Sequence, residues 1–196
     1  MVFINRSTRE LHAKVVYVGP PSSGKSTNLR VIAERTDKNH VGEMISLDRD
    51  RDRTAYFDFL PMTLGRIRGY TCRMHLYSIP GRMPFRSSRR MIIKGVDAMV
   101  FVADSDPARV QENLQSLKVT QDAMIKFGVD PDTTPLIFQF NKRDLPHAVA
   151  QEELAALLET DGHLVFPSVA LTGEGVFDTL RAVSRIVLDR LIGEQK

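Results

Sequence analysis

Gly19-Pro20-Pro21-Ser22-Ser23-Gly24-Lys25-Ser26 is the stretch on which the reading of the fold turns. It fits G-x-x-x-x-G-K-[ST], a loop that holds the phosphates of a nucleoside triphosphate. Each position has a physical reason. Glycine lets the backbone curl so that its N–H groups converge on anionic oxygens. Lys25 brings a point charge to the β- and γ-phosphates, and the Ser26 hydroxyl reaches a Mg²⁺ ion. A helix starting here adds the positive end of its dipole. The flanks agree: Ala13-Lys14-Val15-Val16-Tyr17-Val18 is β-branched and apolar and predicts a strand, while Thr27 to Glu34 predicts a helix. The alternative is an ordinary Gly/Ser turn between strand and helix. On the first reading Gly19, Pro21, Ser22, Ser23, Gly24, Lys25, Ser26 and Thr27 are candidate phosphate-binding residues.

Outward from the loop, strand and helix patterns alternate. Ala98-Met99-Val100-Phe101-Val102-Ala103 and Pro135 to Phe140 are apolar runs of the kind buried on both faces of a parallel sheet. Val110, Leu114, Leu117 and Met124 recur at helical spacing, as do Val176, Leu180, Val183 and Val187 in a helix expected from Gly175 to Ile192. A further helix is expected over 150–159 and a last strand over 164–170. Tyr56 to Leu60 predicts a strand ending at Pro61, Thr71 to Ile79 another, with Gly65 and Gly69 marking a hairpin between them. Phe3-Ile4-Asn5 predicts a short strand paired ahead of the loop strand. This order implies an α/β three-layer architecture, a mostly parallel sheet flanked by helices, with ligands at the carboxyl ends of the strands. One domain over 1–196 is expected.

Composition narrows the class. The 196 residues are 42% hydrophobic and 26% charged, ordinary for a soluble globular chain. A net charge of +3 argues for neither nucleic acid nor membrane. A single cysteine, Cys72, excludes an intrachain disulfide and fits a reducing, cytoplasmic setting. No apolar run approaches the ~20 residues that span a bilayer, so direct membrane insertion is not expected.

Asn141-Lys142-Arg143-Asp144 names the base. Asp144 can accept hydrogen bonds from the N1–H and 2-amino groups of guanine. Adenine lacks that donor pair, so a buried Asp144 would be stranded beside it. This disfavours an ATPase or small-molecule kinase. The Lys142 stem can lie along the purine, and Asn141 can tie this loop to the phosphate loop. Standing alone, N-K-x-D is as readily a polar helix cap; after a buried strand and downstream of a phosphate loop it is specific. Ser168-Val169-Ala170, after the last strand, offers backbone N–H groups for the guanine carbonyl.

These pieces, in this order, resemble the Ras-like small GTPases across nearly the whole chain. The closer resemblance is to the MglA family of bacterial GTPases of cell polarity and gliding motility. It is carried by Gly42 to Leu47, Asp52-Arg53-Thr54, Phe57 to Pro61, His75-Leu76-Tyr77, Ser87 to Arg90, Gly95-Val96-Asp97 through Ser105, Asn141 to Pro146 and Gly175-Val176-Phe177. The resemblance implies six strands and five helices, GTP or GDP with Mg²⁺, and slow GTP hydrolysis. It also implies effectors that dock on the switch regions and a regulator of the MglB type, a roadblock-domain dimer. Recruitment to a cell pole would come through such partners. By position, Thr54 would complete the Mg²⁺ shell with Ser26. Arg53 would be an internal arginine finger, and Gly81, in a turn at 78–81 that resembles the second switch, would be a nucleotide-binding residue. Charge pattern alone reads the run 48–54 as a solvated face; the resemblance removes Arg53 and Thr54 from it. Ser78 stands where most Ras-like proteins carry Asp, leaving Asp58 to hold a Mg²⁺-bound water or to be a plain strand-edge carboxylate.

Two departures bear on catalysis. Arg82 replaces the water-positioning glutamine. A guanidinium has five donors and no acceptor, so Arg82 cannot take a proton from water, though it can clamp the γ-phosphate. Pro21 replaces a loop glycine, removing one N–H and adding bulk. Both point to an alternative: a hydrolysis-impaired module that binds GTP and recruits partners.

Overall fold

The computed structural model describes residues 3–47, 57–80 and 86–193. Nine-residue β2 (Glu10–Val18) runs through the middle of one sheet and delivers the chain to the phosphate loop. It pairs in parallel with β5 (Tyr70–Ser78) on one side and β6 (Ala98–Asp104) on the other. From β6 the sheet continues in parallel through β7 (Leu136–Asn141) to β8 (Val165–Pro167). Beyond β5 it turns antiparallel, to β4 (Phe57–Ile67) and then to β3 (Ile45–Leu47). Short β1 (Phe3–Asn5) pairs antiparallel with the start of β2.

The period-2 pattern sorts the core. Leu11, Ala13, Val15 and Tyr17 of β2 share one buried cluster with Leu29 and Ile32 of α1 (Lys25–Arg35) and Val176, Val183 and Val187 of α5 (Val176–Gly193). Val16 and Val18 face the other, with residues of α2 (Arg86–Ile93), α3 (Val110–Lys126) and α4 (Gln151–Leu157). Alternate side chains of one strand thus enter different cores, as a sheet covered on both faces requires.

Among the described residues the sheet holds eight strands where the resemblance implied six. The two additions, β1 and β3, are three residues each. β3 is too short to declare itself inside the polar stretch around it. Pro61 does not end its strand: β4 continues to Ile67, with a register shift between Thr63 and Gly65. The Pro61 carbonyl accepts from Gly42 N–H at 2.9 Å, so that residue's polar groups point away from β5. No hydrogen bond to β5 is lost by having proline there. β8 stops at Pro167, three residues short of the expected end.

Candidate functional site

The loop between β2 and α1 takes a shape only small residues allow. Gly19 has φ +137, and a Cβ there would stand 2.3 Å from the Val102 carbonyl oxygen. Gly24 has φ +104, and its Cβ would lie 2.1 Å from Asn141 Nδ2. Gly24 caps α1 without a side-chain acceptor, and no acid occupies the first turn. The first N–H groups of the helix are thus left for an external acceptor. Pro21, Ser22, Gly24, Lys25, Ser26, Thr27 and Pro80 line a groove of about 520 Å³ at this point.

Lys25 is 5% exposed. Its ammonium donates to the carbonyls of Gly19 (3.1 Å) and Pro20 (2.6 Å). Burial pulls its pKa down from 10.5 to about 8, with Asp58 opposing and Arg109 adding to the fall. A cation stripped of water and held against neutral carbonyls suits a polyanion. Ser26 Oγ lies 3.5 Å from Ser78 Oγ, which donates to Asp58 Oδ2 at 2.5 Å. Ser46 Oγ holds the other Asp58 oxygen at 2.8 Å. The register places Asp58 opposite Ser78, so β4 supplies the carboxylate that β5 lacks. This all-oxygen set is the chemistry Mg²⁺ prefers. Arg53, Thr54, Gly81 and Arg82 lie outside the described residues.

A second groove, about 310 Å³, is lined by Ser22, Gly24, Thr27, Asn141, Lys142, Asp144, Leu145, Val169, Ala170 and Leu171. It shares Ser22, Gly24 and Thr27 with the first. Asn141 laces the three loops together. Its Nδ2 donates to the Ser23 carbonyl at 2.7 Å. Its Oδ1 accepts from Ala170 N–H at 2.8 Å and from Ser168 Oγ at 3.1 Å. Lys142 takes φ +66, turning the chain so that Asp144 lines the groove. Asp144 is exposed rather than buried. The backbone donors expected over 168–170 are all engaged: Ser168 N–H with the Phe140 carbonyl, Val169 N–H with that of Glu174, and Ala170 N–H with Asn141. A guanine carbonyl would therefore share one of them or meet the next amide, at Leu171.

Two residues at this end of the sheet were not expected from the sequence. Asp104, the last residue of β6, and Arg109, in the 3₁₀ turn Pro107–Arg109, stand between the two loops. Their sequence signal is slight: an acid closing an otherwise apolar strand, and an arginine in a helix start.

A sequence model of the ADP-ribosylation factor family matches residues 2–187. The chain belongs to that family. It is also 47% identical to the mutual gliding-motility protein MglA of Myxococcus xanthus (strain DK1622), over 97% of this chain and 98% of that one. Membership makes this chain a guanine-nucleotide-binding switch of the phosphate-loop small GTPases, a class of GTP hydrolases that use Mg²⁺ and act through regulators and effectors. Among the described residues no helix is long and apolar enough to cross a membrane.

Proposed function

We propose that this protein is a slowly cycling GTPase switch that controls bacterial cell polarity or gliding by binding partners in its GTP form. What carries the reading is the continuity of the two grooves: a buried lysine on one side, Asp144 on the other, Asn141 lacing them. In this reading the loop amides, Lys25 and Gly81 hold the phosphates. Ser26 and Thr54 ligate Mg²⁺, and Asp58 holds one of its waters through the Ser78 hydroxyl. Asp144 selects guanine, with Lys142 along the ring. Arg53 and Arg82 carry charge on the transferring phosphate. The regulator is a roadblock-domain dimer of the MglB type, the effectors dock on the switch segments, and polar recruitment follows from them. Single-turnover hydrolysis with and without such a dimer tests this; no phosphate release in either case refutes the hydrolase part.

A second reading is a GTP-bound module that scarcely hydrolyses. Arg82 and Pro21 favour it, because neither helps water attack and Pro21 fills space beside the phosphates. The nucleotide that co-purifies discriminates: GDP supports cycling, GTP supports the module.

A further inference from the structure

At the carboxyl end of β6 stand two charged residues, Asp104 and Arg109, to which the reading of the two grooves gives no part. β6 lies between β2, which feeds the phosphate loop, and β7, which feeds Asn141 to Asp144. Its last residue, Asp104, is fully buried. Asp104 Oδ2 meets Lys142 Nζ at 2.6 Å on the base side and Arg109 Nε at 3.8 Å on the phosphate side. Arg109 then reaches the phosphate loop itself, donating from Nη2 to the Pro21 carbonyl at 2.7 Å, while Nη1 pairs with Glu112. The other carboxylate oxygen accepts from Asp106 N–H at 3.1 Å. Asn113 fixes the backbone, accepting from Asp104 N–H at 2.9 Å and donating to its carbonyl at 2.8 Å.

A carboxylate taken wholly from water needs its cations, and losing one leaves charge uncompensated. Here the cations are partly exposed, Lys142 at 35% and Arg109 at 26% of their side chains. Each belongs to, or is bonded to, a residue lining a different groove. The network is therefore more than a core staple. We propose that Asp104 and Arg109 are positioning residues that couple base selection to phosphate-loop geometry, one carboxylate oxygen setting Lys142 and the Pro21 turn together. This rests on the reading of the grooves as a guanine-nucleotide site. Coupling of this kind is reciprocal: what displaces Pro21 is felt at Lys142, and the converse.

The test is competition binding on the full chain with GDP, IDP and ADP. IDP lacks the 2-amino group, so the GDP/IDP affinity ratio reports the base edge alone. Arg109→Gln removes a charge at the phosphate loop, at a residue outside the lining of the groove that holds Asp144. The expected result is a ~3–10-fold fall in the GDP/IDP ratio, with a melting curve that shows a folded protein. Asp104→Asn should lower the same ratio further. Equal loss of GDP and IDP affinity in Arg109→Gln overturns the coupling, because a purely structural defect weakens both alike. If that variant does not fold, Arg109→Lys, which keeps the charge and loses the fork, is read by the same two outcomes. A wild-type protein that binds ADP as well as GDP overturns the underlying site reading instead, and the two failures are told apart by that control.

Discussion

Replacing Lys25 by methionine should make the nucleotide-free protein more stable while abolishing nucleotide binding. Burial lowers the Lys25 pKa from 10.5 to about 8. That fall corresponds to about 3 kcal/mol spent on keeping the charge inside at neutral pH. A thioether in place of the ammonium would leave the Gly19 and Pro20 carbonyls without their donor, at a cost of about 1 kcal/mol each. The net gain expected at pH 7 is about 1 kcal/mol. The pH dependence is the sharper readout. Between about 8 and 10.5 the unfolded lysine holds a proton that the folded one has released. Wild-type stability therefore rises with pH across that window and is flat in this respect below it. From pH 7 to 9.5 the Lys25 contribution is about 2 kcal/mol. Burial pushes Tyr17, Tyr77 and Cys72 the other way, so they lose stability at alkaline pH. They do so in both proteins, and the difference isolates Lys25. Urea unfolding of nucleotide-stripped wild type and Lys25→Met at both pH values is the assay. Parallel pH dependences would refute the argument that this ammonium is desolvated.

Asp144→Asn should transfer preference from guanosine to xanthosine nucleotides, with a loss of about 10²-fold or more in GDP affinity, read by competition binding. Gly24→Ala should cost about 2–3 kcal/mol in unfolding experiments, since its methyl would strike Asn141 Nδ2 at 2.1 Å. Asn141→Ala should destabilise by roughly 2–4 kcal/mol through loss of three bonds that lace the loops, and should speed GDP release in stopped flow. Arg82→Gln should raise the single-turnover hydrolysis rate if the missing water-positioning group limits catalysis; an unchanged rate counts against that account.

The parts of the site that sequence revealed are those fixed by local chemistry. The phosphate loop declares itself because backbone curvature, a cation and a hydroxyl must fall within eight residues. Asn141 declares its role because its amide is the right length to join two loops carried by strands of one sheet. Strand and helix order followed from periodicity, since Ala98 to Ala103 fills two cores at once. What sequence concealed depends on residues far apart in the chain. Asp104 reads as a helix-start acid until Lys142 and Arg109 converge on it. Asp58 reads equally as a water-holding or a strand-edge carboxylate in the sequence, because its bond to Ser78 spans 20 positions. Pro61 reads as a terminator in the sequence because its orientation within the hairpin is a tertiary property. Three-residue strands such as β3 have no pattern long enough to count.

That proline shapes how the flank of the molecule meets other chains. Between Leu60 and Thr63 the outer margin of β4 is already occupied: Gly42 N–H and the His40 carbonyl bond there, and Val41 bridges to Met62. At Pro61 the margin has no hydrogen to offer at all. A foreign strand therefore finds no continuous template to zip along here, and the protein is guarded against stacking side by side into fibres through this segment. Whatever recognises this stretch must read its side chains instead of extending its sheet.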